Sequence, residues 1–68
     1  MNYLKEKLEE KNISQSDLAR RLGVTRGYIC DLVKGRKYFD KMPLIKIVNM
    51  ANILDTPIEE FIERIIRG

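Results

Sequence analysis

Apolar residues recur along the chain at the three- and four-residue spacing of helices, and no strand-like alternation interrupts them. Leu4 and Leu8 share one face of a first helix over about 3–11, which Asn2 can cap and Asn12 can end in a left-handed conformation. Lys5 and Glu9, and Lys7 and Glu10, are spaced to pair on its wet side. Leu18, Ala19 and Leu22 line a second helix with Ser14 as its cap, and Ile29, Leu32 and Val33 line a third, over about 26–34, capped by Thr25. Each cap is preceded by an apolar residue that matches one at the fourth helical position, Ile13 with Leu18 and Val24 with Ile29, the pattern of a hydrophobic staple. Gly23 and Gly35 fall where these two helices must stop.

The segment 36–42 is basic and aromatic without helical period, and in it Phe39 is expected to pack under the loop. Pro43 opens a fourth helix over about 43–54, so apolar that it needs cover on more than one side; only Lys46, Asn49 and Asn52 are polar, in a narrow stripe. Thr56-Pro57-Ile58-Glu59 reads as a capping box with Pro in the first turn. The fifth helix that follows, ending near 67, carries the pairs Glu60–Arg64 and Glu63–Arg67 opposite Ile58, Phe61, Ile62, Ile65 and Ile66. The expected fold is all-α: one compact five-helix domain over 1–68, with two short helices meeting at Gly23 and a small Ala19 where they cross.

Residues 15–34 resemble the helix-turn-helix of the lambda-repressor-like (Cro/repressor, XRE-type) DNA-binding family. The matching residues are Gln15, Leu18, Ala19, Leu22, Gly23, Val24, Thr25, Ile29, Leu32 and Gly35. The resemblance implies sequence-specific binding of double-stranded DNA, with the third helix in the major groove. Val33 stands where the family often has Glu, and the segment after Gly35 is longer than usual. The family's reading positions fall on Arg26, Gly27 and Asp31. Arg26 can bond guanine through two donors, Asp31 can accept from cytosine N4, and Gly27 permits close backbone approach. A plainer alternative takes Arg26 to phosphate and pairs Asp31 with Lys34. Gln15, Thr25, Tyr28, Lys34, Arg36 and Lys37 are the candidates for the DNA backbone. Arg20 and Arg21 stay ambiguous, because Asp17 can pair with Arg21.

Charge supports a polyanionic partner through its placement. The net charge is only +3, with a pI near 9.2. Between Arg20 and Lys37, however, six basic residues face one acid, whereas the stretch from Phe39 onward holds four basic residues and five acids. With no His, no nucleophile–base pair, no metal set and no Gly-rich phosphate loop, the chain offers an enzyme little, and neither a metal nor a cofactor is expected. Cys30 stands alone, without a disulfide partner or metal-site spacing, and is expected to be partly buried. No signal peptide or membrane span is evident, so a cytoplasmic, nucleoid-associated location is expected.

The small size favours a homodimer on two half-sites. Its surface is expected among apolar residues that a thin core cannot absorb: Met50, Ile53, Ile62 and Ile66. The resulting reading is a transcriptional regulator, a repressor on a palindromic operator. The alternatives are an antitoxin-type DNA binder holding a protein partner, and a helical protein-interaction module that does not bind DNA.

Overall fold

The structure, a computed structural model, describes residues 2–36 and 39–67. Among these residues five helices follow one another: α1 Asn2–Glu10, α2 Gln15–Leu22, α3 Arg26–Lys34, α4 Leu44–Ile53 and α5 Ile58–Arg67. A 3₁₀ turn, Phe39–Lys41, lies in the link between α3 and α4. Among the described residues there is no strand, and no helix is long and apolar enough to cross a membrane.

The core is built from the apolar faces in the expected register. Leu4, Leu18, Ile29, Leu32, Met50, Leu54 and Phe61 are its large, fully buried side chains. Ala19 is buried where α2 meets α3, small enough to let the two backbones approach. Phe39 and Met42 fold the long α3–α4 link onto this core, and Phe39 meets Phe61 edge to face at 6.1 Å. Among the described residues of the link, Phe39 and Met42 are the buried ones. Tyr3 stacks obliquely on Phe61 from the other side, at 5.8 Å.

Four of the helices end in the same way. Asn12, Gly23, Gly35 and Asp55 take positive φ of 55°, 79°, 79° and 50°. In each case the next residue donates its N–H to the carbonyl five places back: Ile13 to Leu8, Val24 to Ala19, Arg36 to Asp31 and Thr56 to Ala51, at 2.8–3.0 Å. This is the Schellman closure, which satisfies carbonyls that the helix itself leaves open.

Several sequence expectations shift. The two prolines lie one place outside their helices: Pro43 is the N-cap of α4, and the Pro57 carbonyl accepts from Phe61 N–H at the start of α5. The Thr56 hydroxyl, expected to cap α5, donates instead to the Leu54 carbonyl at 3.0 Å in a buried bond. Glu60 and Arg64 each find a partner on α1, where Lys7 lies 3.9 Å from Glu60 and the Arg64 guanidinium sits 4.6 Å from the centre of the Tyr3 ring. Lys7–Glu10 and Glu63–Arg67 pair as expected, both at 3.2 Å. α4 is covered by both α2 and α5, as its apolar sequence requires, and keeps one face open. Leu44 and Ile45 stay 66 % and 64 % exposed, Leu44 because it begins the helix and Ile45 because it shares the outer face with Asn49 and Asn52.

Candidate nucleic-acid interface

α2 and α3 form a helix pair fixed at both starts and at the joint. The Ser14 hydroxyl accepts from Asp17 N–H at 3.0 Å, and the Thr25 hydroxyl accepts from Tyr28 N–H at 3.1 Å. Each cap satisfies one of the first-turn N–H groups that have no intrahelical acceptor. Ile13 and Val24, the residues before the caps, lie half-buried against the core, as the staple pattern requires. Between the helices Gly23 makes the left-handed turn, and here a contact appears that the sequence does not announce. Lys46, in the first turn of α4, reaches across to donate its ammonium to the Leu22 carbonyl at 3.2 Å. A cation at the C-terminal end of α2 meets both an open carbonyl and the negative end of the helix dipole.

α3 divides by exposure. Ile29 and Leu32 are fully buried, and Val33 packs half-buried beside them. The apolar Val33, in place of the Glu common in the family, therefore serves the core. Arg26 and Gly27 are exposed at the N-terminal end, Lys34 is exposed at the other, and Asp31 is half-buried between them. A Cβ at Gly27 would meet only the Thr25 hydroxyl, at an ordinary 3.9 Å. Cys30 is half-buried, as expected of a small residue at the margin.

The remaining candidates fall around this helix. Gln15 is the first residue of α2, half-buried, on the turn whose backbone N–H groups face outward. Thr25 spends its acceptor on the cap and keeps its hydroxyl proton for a further partner. Tyr28 lies half-buried against the core, and Arg36 is exposed just past Gly35. Lys37 lies outside the described residues, as does Tyr38. Arg20 and Arg21 both engage Asp17, Arg21 at 3.2 Å, and form a charged cluster with it on α2. Asp31 pairs with Arg36, 3.8 Å away, rather than with Lys34, because the Gly35 turn brings the chain back over the last turn of α3.

The residues expected at a dimer surface separate. Met50 is fully buried, since its azimuth on α4 points inward with Ala51 and Leu54, and it has no surface to offer a second copy. Ile53 is half-buried against the core. On α5, Ile58 and Ile65 pack inward with Phe61, Ile62 is half-buried, and Ile66 is 77 % exposed.

A helix-turn-helix family model matches residues 4–61, which takes in α2, α3 and the helices that hold them. No curated protein matches the chain. With its two central helices, their caps and the left-handed joint all lying inside the matched region, the chain belongs to the Cro/C1-type (XRE) helix-turn-helix family, and over nearly its whole length it is a DNA-binding domain rather than an enzyme.

Proposed function

We propose that the protein is a transcriptional repressor that binds a palindromic operator as a homodimer, each copy laying α3 in the major groove. The observation that carries this reading is the division of α3, which buries Ile29 and Leu32 while leaving Arg26 and Gly27 exposed at its N-terminal end. A recognition helix meets base edges with its N-terminal residues. Arg26 bonds guanine O6 and N7, Asp31 accepts from cytosine N4, and Gly27 lets the backbone approach. Gln15, Thr25, Tyr28, Lys34, Arg36 and Lys37 meet phosphates, the contacts that set register and dominate salt dependence. Its place is then the nucleoid of the cytoplasm.

The exposed Ile66, with Ile62 and Ile53 at the margin, supports contact with a second copy, and Leu44 and Ile45 add apolar surface on α4. A two-fold pair places its recognition helices about 34–36 Å apart, one turn of duplex. Selection of bound sequences from a random DNA pool tests the whole. The expected result is a motif with two inverted halves centred about 10 base pairs apart. Enrichment of a single unrepeated half would overturn the dimer, and no enrichment at all would overturn sequence-specific recognition. The same exposed apolar residues favour a second reading, an antitoxin-type binder whose surface holds a different protein, and a strictly monomeric purified protein would move the assignment there.

A further inference from the structure

Asp31 is the only acidic residue between Arg20 and Lys37, and it stands on the helix proposed to enter the groove. Duplex DNA carries about one negative charge per 1.7 Å of axis, so a carboxylate brought to it is repelled unless a cation comes with it. Arg36 supplies that cation and is tied to Asp31 twice. Its backbone N–H donates to the Asp31 carbonyl at 2.8 Å, closing the end of α3, and its guanidinium Nη1 lies 3.8 Å from Asp31 Oδ1. An exposed ion pair held only by two long side chains contributes little, because both must be ordered to meet. Here the helix closure has already placed the Arg36 backbone, and only the side-chain torsions remain to be fixed.

We infer that Arg36 is a positioning residue for base recognition. It holds the Asp31 carboxylate by Oδ1, so that Oδ2 accepts from cytosine N4, and it offsets the repulsion between that carboxylate and the phosphates. With the Arg36 side chain 68 % and the Asp31 side chain 32 % exposed, both remain open to a partner. At 3.8 Å the two groups form an ion pair, which leaves the N–H donors of the guanidinium to meet a phosphate. This inference rests on the reading of α3 as the groove helix, and it makes Arg36 more than a sequence-blind anchor.

The test compares wild type, Asp31→Ala, Arg36→Ala, Arg36→Lys and the Asp31→Ala/Arg36→Ala double variant. Each is titrated onto the selected operator and onto duplexes altered at the one base pair whose preference Asp31→Ala removes, at low salt so that every complex is measurable. Circular dichroism checks that all are folded. Asp31→Ala is expected to erase a preference of about five- to tenfold at that pair. Arg36→Ala should erase most of the same preference, the double variant should lose no more, and Arg36→Lys should restore part of it by returning the charge. Arg36→Ala that weakens all duplexes equally and keeps the full preference would overturn the positioning role and leave the groove reading intact. Arg26→Ala, titrated in the same way on duplexes altered singly at every base pair of the operator, separates the two readings: if Asp31→Ala changes no base preference while Arg26→Ala does, Asp31 is not a reader and the inference falls alone; if neither does, the groove reading falls with it.

Discussion

Gly27 occupies a reading position, yet the fold does not require a glycine there. An added Cβ would touch only the Thr25 hydroxyl, at 3.9 Å, and the residue has no left-handed φ to protect. Inside a helix Gly is worse than Ala by up to about 1 kcal/mol. Gly27→Ala should therefore raise the melting temperature, and a simultaneous loss of operator affinity would assign the glycine to DNA approach. An unchanged affinity would mean that the backbone at this point stands clear of the groove. Arg26, its exposed neighbour, makes a contrasting case with Lys34. Arg26→Ala should lose about 1–3 kcal/mol on the preferred site and relax one base position. Lys34→Ala should weaken all sequences alike and lower the salt slope by about one unit. Equal weakening on every sequence by Arg26→Ala would make it an anchor.

At the scale of the helices, what the sequence discloses is what is local. Ser14, Thr25, Asn12, Gly23 and Gly35 act within a few residues of themselves, and their chemistry is readable from their neighbours. The core register on α2 and α3 follows from 3.6-residue periodicity in the same way. Contacts between distant elements are not so disclosed. Lys46 and Leu22 are 24 residues apart, and nothing near either one suggests their bond. Met50 and Ile53 are both apolar on an apolar helix, and which of them turns inward depends on how α4 is rotated against the rest. The plainer alternative for Asp31 pairs it along its helix with Lys34; it meets Arg36 instead, because the helix ends first. The exposure of Ile45 was not among the expectations, although the sequence holds a sign of it. Ile45, Asn49 and Asn52 share a face at i, i+4 and i+7, and two asparagines mark that face as wet.

The Lys46 bond makes its own prediction. Lys46→Met keeps an unbranched apolar stem and removes the donor, leaving the Leu22 carbonyl part-buried at the joint. The cost should be about 1–2 kcal/mol, read as a lower denaturant midpoint. Amide exchange at Gly23 and Val24 should accelerate more than at Ile29 and Leu32. A midpoint equal to wild type would show that solvent replaces the ammonium without loss.

For the molecule as a whole, the leftover apolar surface sets the expectation. Burying one exposed Ile at a two-fold contact contributes about 1.5–3 kcal/mol per side, and the symmetry repeats it. Ile66 is 77 % exposed, so the fold of one copy does not depend on it. Ile66→Glu should leave the melting curve of the monomer intact and abolish self-association, since an unpaired carboxylate is costly to desolvate at an interface. Sedimentation at matched concentrations measures it. A wild type that never associates would remove the dimer, and a variant that still dimerises would move the contact away from Ile66.

The four left-handed helix ends also have a stereochemical consequence. An L-polypeptide must contradict its own handedness at four joints to close this bundle. At two of them, Gly23 and Gly35, it does so with a residue that has no handedness. These are sites where a mirror-image amino acid is the natural occupant. Gly35 is exposed with open space around it. In a synthetic chain, D-alanine there should stabilise the fold by about 0.4–1 kcal/mol by narrowing the unfolded ensemble. L-alanine at the same point should cost on the order of 1 kcal/mol. The pair of melting curves would measure, at one atom's difference in configuration, how firmly α3 is held at the end that Asp31 and Arg36 share.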